Sequence, residues 1–277
     1  MKILLLTDSF NSGGAQKQIM MLANGLVDEN YKVATLQYYK LFFFSKYLDH
    51  RISRFETIHV NKLIRVFKIL RTLYLFKPDC IISFLHGPNN YAALYKIIFF
   101  WRKTRLITGE RNLNIEELKL KDRLIRVSHF FANKVVCNSN AQKLIIEKIF
   151  KNKVLFIPNG TSIDNIVVKE KYGSEKGVLK LIVPARFTHQ KNPLNLLKAL
   201  SAIKSNRDLK IEVYWYGRID ANENIYNESL KYIRNNNLET FIFFKEPVSN
   251  IYAEMINFDA VLLTSFYEGC PNAIIDG

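Results

Sequence analysis

Three short segments place cations, carboxylates or glycines where a folded chain could grip a phosphorylated ligand. Ala185-Arg186-Phe187-Thr188-His189-Gln190-Lys191-Asn192-Pro193 puts Arg186 and Lys191 into one loop ahead of a helical pattern. Pro193 suits the first turn of that helix, whose N-terminal dipole adds to the two cations. Such a set can clamp a diphosphate and stabilise a departing phosphate, although two solvated surface cations would give the same letters. The stretch from Phe266 to Asp276 carries Glu268 and Asp276, eight residues apart. That is about two turns if helix ran throughout, and carboxylates accept from pairs of sugar hydroxyls. A solvated Glu and a solvated Asp would also satisfy the pattern. Finally, Ser12-Gly13-Gly14-Ala15 opens a helix directly after an apolar run. Unpaired backbone N–H groups and bare glycines there suit a phosphate, or else make a plain strand-to-helix turn.

Other chemistries are excluded. Cys80, Cys137 and Cys270 are far apart and odd in number, so there is no disulfide scaffold and no Cys-x-x-Cys zinc site. The five histidines form no metal-ligand cluster in the sequence. Gly-x-Gly-x-x-Gly is missing, and Leu36-Gln37 ends the second strand without an acidic residue for a ribose.

The elements that must carry these loops alternate regularly. Lys2–Thr7, Lys32–Leu36, Thr57–Val60, Cys80–Leu85, Arg105–Thr108, Val135–Asn138 and Val154–Ile157 read as strands. Helical patterns lie between most of them: Ala15–Val27 is one, and 62–76 is another, with Leu63, Val66, Phe67, Leu70 and Tyr74 as its apolar set. Around 158–178 the pattern breaks at Pro158-Asn159-Gly160 and a polar, glycine-containing stretch, which predicts a linker. Alternation resumes with strands at Leu179–Val183, Ile211–Tyr216, Phe241–Phe244 and Ala260–Leu263. Helices are expected over Pro193–Ile203, near Glu223–Asn235 and over Val248–Asn257. The expected fold class is α/β: two doubly wound, Rossmann-like domains over residues 1–165 and 166–277.

Composition agrees with a folded, two-domain chain: 277 residues, 48% hydrophobic and 23% charged. No stretch reaches the ~18–20 apolar residues of a membrane span, and the N-terminus lacks the layout of a cleavable signal. A soluble protein in a reducing, cytosolic compartment is therefore expected. Charge is uneven. Residues 1–160 hold 26 basic and 11 acidic side chains and residues 161–277 hold 14 of each, so the whole excess of +15 lies in the first part. That asymmetry points to a polyanionic surface as partner, either nucleic acid or anionic lipid headgroups.

Taken together, the Gly13-Gly14 loop, the Arg186…Lys191-Asn192-Pro193 loop and Glu268-Gly269-x-Pro271-Asn272 ending in an acidic residue resemble the family-4 retaining glycosyltransferases of the GT-B fold, the glycosyl transferases group 1. The resemblance covers essentially the whole chain. It implies two Rossmann-like domains facing across a cleft, with a UDP- or GDP-sugar held mostly by the second. Arg186 and Lys191 stand where the family holds the donor diphosphate. Glu268 stands at the first Glu of a Glu-x7-Glu motif that contacts donor-sugar hydroxyls. Asp276 takes the place of the second Glu, which holds the ribose, and is one methylene shorter. Gly13 and Gly14 match the loop that closes over the phosphates. His86, after the fourth strand, lies near a histidine of the family's cleft, and Glu110-Arg111-Asn112 resembles an acceptor-side Ser-Glu-Arg-Asn segment. Asp-x-Asp, the pair that binds diphosphate through a metal, is missing; with Arg and Lys supplying the charge, metal-independent transfer without a cofactor is expected.

The basic first domain has aromatic neighbours in Tyr38–Tyr47 and Phe99–Lys103, and Lys62, Arg65, Lys68 and Arg71 recur every three residues along 62–76. Cations around aromatics suit an anionic membrane surface and a lipid-linked acceptor, or glycan acceptor, presented there. No nucleic-acid-binding motif accompanies the charge, so nucleic acid is not expected as a partner. Only Thr264–Gly277 follows the strand at 260–263, which predicts an incomplete second domain and a C-terminally truncated chain that is a poor catalyst. The competing expectation is an inactive remnant that binds membrane or partners.

Overall fold

The computed structural model describes residues 1–111, 126–161, 177–204, 210–219, 224–248 and 250–277. The chain divides into two compact units, Met1–Asn159 and Gly160–Gly277. The expected boundary at 165/166 lies in the 162–176 stretch, outside the described residues.

In the first unit, β1 (Lys2–Leu6), β2 (Lys32–Gln37), β3 (Ser53–Glu56), β4 (Cys80–Phe84), β5 (Arg105–Glu110), β6 (Lys134–Cys137) and β7 (Val154–Phe156) form one parallel sheet. Its order is β3-β2-β1-β4-β5-β6-β7. Alternation along β1 feeds two cores. Leu4 and Leu6 pack with Leu36, Ile69, Leu73 and Ile81 on one face. Ile3 and Leu5 pack with Ile19, Ala23, Val33 and Ile82 on the other. Both faces are covered, as a parallel sheet requires. The helices include α1 (Gly14–Asp28), α2 (Lys62–Phe76) and α3 (His86–Ile98).

Two expectations need correction here. The third strand is Ser53–Glu56, paired with Ala34–Gln37, and not Thr57–Val60. Its residues are mostly exposed, so this edge strand lacks the apolar alternation that marks a strand in sequence, whereas Val60 stands outside the sheet in solvent. The second correction concerns α2. A repeat of three slips by about 60° per step around a helix of 3.6 residues per turn, so the four cations cannot share one face. The buried line is Arg65, Ile69 and Leu73. Arg65 is 6% exposed and lies over the rings of Tyr38 and Tyr39, while Lys62, Lys68 and Arg71 are in solvent. Leu63 and Phe67, expected on the core face, point outward and are 79% and 66% exposed.

In the second unit, β8 (Val178–Pro184), β9 (Lys210–Tyr216), β10 (Ile242–Lys245) and β11 (Ala260–Val261) form a parallel sheet of order β10-β9-β8-β11. Val183, Val213, Trp215 and Ile242 pack there against Leu196, Leu197 and Leu200 of the helix Pro193–Ile203 and Ile233 of the helix Ile225–Asn235. The expected helix over 248–257 is shorter, Ile251–Met255, with Asn250 accepting from the Ala253 amide at its start. Among the described residues, no helix is long and apolar enough to cross a membrane.

Candidate functional site

Each sheet reverses its strand order once, and the loops that leave the carboxyl ends of the strands on either side of that point form a natural ligand crevice. In the second unit the reversal lies between β8 and β11. The loop after β8 carries Arg186 and Lys191; the loop after β11 carries Glu268.

Arg186 is placed by a close approach of main chains. A side chain at Gly217 would put its Cβ 2.0 Å from the Ala185 carbonyl oxygen, so only glycine fits at the end of β9. The same carbonyl accepts from the Trp215 indole at 2.7 Å, and the Ala185 amide donates to Tyr216. Arg186 itself is exposed. Asn192, in the left-handed region at φ 53°, turns the chain into the helix that begins with Pro193.

The two loops are stitched together. The Phe266 amide donates to the Gln190 carbonyl, the Gln190 side chain donates to the Tyr267 carbonyl at 2.9 Å, and Thr264 Oγ1 donates to Lys191 O at 3.0 Å. His189 stacks on Phe266. This stitching brings Lys191 Nζ into an ion pair with Glu268 Oε1. Asp276 Oδ1 accepts from Thr161 at 2.7 Å and from Tyr252 at 2.9 Å, which orients its carboxylate. Two hydroxyls of these loops, Thr188 Oγ1 and Ser265 Oγ, are buried without a hydrogen-bond partner among the described residues. Neither stands out in the sequence. Their signal is positional, since both flank residues that do.

In the first unit the order reverses between β1 and β4, so the Gly13-Gly14 loop and His86 flank that point. Gly13 is the N-cap of α1 and supplies no capping side chain; the first turn holds no acidic residue. Asp8 braces the loop, its Oδ1 accepting from Gln16 at 2.9 Å and Ser9 at 3.2 Å. His86 is the first residue of α3 and its side chain is 40% exposed. Behind it, Glu110 ends β5, fully buried. Arg126 Nε donates to Glu110 Oε2 at 2.8 Å and His129 Nε2 lies 3.3 Å from the same oxygen. Arg111 follows β5, with its guanidinium 3.6 Å from the Phe84 ring centroid and Nη1 donating to Asn159 at 2.8 Å. The Asn138 amide also reaches Asn159, at 3.5 Å.

Residues 164–276 match the family model described as glycosyl transferases group 1. The second unit is a glycosyl transferases group 1 domain. The chain is 27% identical over 289 residues to a Campylobacter jejuni protein named "GalNAc-alpha-(1->4)-GalNAc-alpha-(1->3)-diNAcBac-PP-undecaprenol alpha-1,4-N-acetyl-D-galactosaminyltransferase", covering 100% of this chain and 76% of that one. It is 24% identical to the amylovoran biosynthesis glycosyltransferase AmsD of Erwinia amylovora, covering 99% and 77%. Among solved structures, HepE of Anabaena in complex with UDP and glucose superposes with a TM-score of 0.81 at 18% identity, over 100% of this chain and 77% of that one. The fold is therefore the GT-B fold, and the chain a glycosyltransferase.

Within this group 1 domain, the structure brings Lys191 and Glu268 together, with Arg186 at the head of the same loop. Asp276 accepts from Thr161 and Tyr252. In the first unit, His86 and Glu110 come together, and Arg111 turns instead toward Phe84 and Asn159. Asn112 lies outside the described residues. Among the described residues, no group of three or more His, Cys, Asp or Glu side chains is gathered to hold a metal ion.

Proposed function

We propose that this chain transfers a sugar from a UDP- or GDP-sugar to a lipid-linked or polysaccharide acceptor, with retention of configuration, in the synthesis of cell-surface polysaccharide or glycolipid. One observation carries this reading: Lys191 pairs with Glu268, with Arg186 at the head of the same loop, at the strand-order reversal between β8 and β11 and inside the stretch that matches the family model. Arg186 and Lys191 offset the charge that grows on the leaving diphosphate, a role that needs no metal ion. Glu268 accepts from donor-sugar hydroxyls, and Asp276 from the ribose. Gly13 and Gly14 serve the phosphates, His86 joins Arg186, Lys191 and Glu268 as a catalytic residue, and the Glu110-Arg111-Asn112 segment serves the acceptor side.

The relatives support the substrate classes. The Campylobacter jejuni protein's name specifies an undecaprenol-linked glycan, and HepE structures hold UDP and UDP-glucose. A lipid-linked acceptor implies work at a membrane. The basic first unit, with Phe67, Leu63, Phe100 and Trp101 exposed among cations, fits the anionic inner face of the plasma membrane from the cytoplasmic side.

The test is turnover. The purified chain is incubated with UDP- and GDP-sugars and a lipid-linked oligosaccharide, with a chelator present. Expected is a product heavier by one sugar, whose new linkage keeps the donor's anomeric configuration by NMR. Inversion, or a strict need for a divalent cation, contradicts the mechanism; donor hydrolysis or transfer confined to a different donor class contradicts the substrate assignment.

A further inference from the structure

Glu110 is 2% exposed, yet its surroundings keep it charged. Burial pushes its carboxyl up, but the hydrogen bond from His129 and the charges of Arg126, His86 and His129 outweigh burial and hold it below the ordinary glutamate value. An ionised carboxylate only accepts, so His129 donates to it through Nε2 while its Nδ1 faces Thr108 Oγ1 at 2.8 Å. Arg126 fixes the carboxylate from a third direction. Its other oxygen, Glu110 Oε1, accepts from Arg126 Nη2 at 3.4 Å and lies 3.9 Å from His86 Nε2. That distance is too long for a hydrogen bond and short enough for a strong field.

His86 reaches this position through a strained turn. Leu85, between β4 and α3, sits at φ 75° and ψ 155°, a region that essentially only glycine enters without strain. The surrounding contacts enforce it. Ser83 donates to Asn89 at 2.7 Å, and Asn89 donates to the Gly109 carbonyl at 3.1 Å, tying β4, α3 and β5 at the point where His86 and Glu110 meet. A leucine held there, next to a histidine that faces a buried carboxylate, marks a built arrangement.

We propose that Glu110 is a positioning residue for His86: its buried carboxylate, locked by Arg126 and His129, orients the imidazole at the head of α3 and favours its protonated form. His86 is then presented as a cationic hydrogen-bond donor. The proposal rests on the reading above in which His86 is a catalytic residue. Among the described residues, the groups around this pair are Arg126 and His129 from 126–131, Arg111 after β5, and Cys137 on β6. Burial pushes the Cys137 thiol up to about 12, so it stays neutral. The N-terminal end of α3 adds a partial positive charge. Among the described residues, Glu110 is the carboxylate of this set, so removing its charge weakens the field that favours a protonated His86.

The experiment is an NMR titration of His86 in the full chain, assigned with His86→Gln, for the wild type, Glu110→Gln and Glu110→Asp. The His86 pKa is expected to fall by about one unit in Glu110→Gln and by less in Glu110→Asp. Should Glu110→Gln fail to fold, Glu110→Asp supplies the comparison, because it keeps the buried charge while withdrawing it from His86. An unchanged His86 titration in a folded variant overturns the proposal. In transfer assays, Glu110→Gln should lower kcat by about tenfold or more with donor KM held, and Glu110→Asp should restore part of it. If His86→Ala transfers normally while the titration shift persists in the wild-type background, the positioning stands and the catalytic role of His86 fails.

Discussion

Lys191 and Glu268 share an ion pair, and this decides how each should respond to substitution. In the proposed donor complex, a diphosphate that reaches Lys191 shares the ammonium with Glu268. Replacing Arg186 or Lys191 by Ala removes a preorganised cation from the leaving group and should reduce transfer about 100–1000-fold, or ~2.7–4 kcal/mol. Steady-state kinetics check this, and full activity in Arg186→Ala would exclude a role for that residue in charge stabilisation. Glu268→Gln should behave differently. It turns one of the two acceptor oxygens of the proposed sugar contact into an amide donor and removes the charge paired with Lys191, so transfer falls while UDP or GDP still binds. Equal loss of binding and transfer would make Glu268 a structural residue. In the sequence, these three positions were legible as charged residues in loops that follow apolar runs, and their donor roles came from the resemblance of the motifs taken together. Thr188 and Ser265 were not, since a buried hydroxyl without a partner is a property of packing. Glu110 was legible as a position and not as a role: its partners Arg126 and His129 are 16 and 19 residues away, brought in by the fold.

At the scale of elements, the parallel strands were the easiest to read. Their continuous apolar runs are what burial on both faces selects, and β1, β2, β4 and β8 lie where those runs do. The edge strand β3 escaped because an exposed strand has no such run. On α2, apolar letters at helical spacing named the right helix and the wrong face, because Leu63 and Phe67 are outward while the charged Arg65 is buried over two tyrosines. Burial of a cation by aromatic rings is invisible to a hydrophobic pattern. The Glu110 cluster yields the test at this scale, since it joins β5 to the helix Ser128–Phe131. A carboxyl held below its ordinary value of 4.5 stabilises the fold above that pH, and the contribution is lost as pH falls through the lower folded value. Breaking a buried pair costs ~3–5 kcal/mol, so Glu110→Gln should melt well below the wild type near neutrality. The gap in melting temperature should shrink as pH drops beneath 4.5. A gap that stays constant down the acid range would mean that Glu110 is not ionised in the fold.

For the molecule as a whole, the formal charge of +15 belongs to the half that contains the first unit, and its exposed aromatics lie among those cations. Anionic vesicles should therefore bind the chain and release it as salt rises, because screening weakens exposed charges within a Debye length of ~8–10 Å. Neutralising Lys62, Lys68 and Arg71 together should weaken flotation, and Phe67→Ser should weaken it further. Arg65→Gln should instead lower stability, since Arg65 is packed inside. Binding that prefers DNA over vesicles at equal salt would reassign the basic surface to nucleic acid. Nucleotide binding tests the proposed donor site. UDP and GDP are titrated calorimetrically into the chain, with a chelator present, and into the Arg186→Ala/Lys191→Ala double variant. Saturable binding of one nucleotide diphosphate to the wild type is expected, with its loss in the folded double variant. Binding of neither nucleotide to the folded wild type, or equal binding by both proteins, would contradict it.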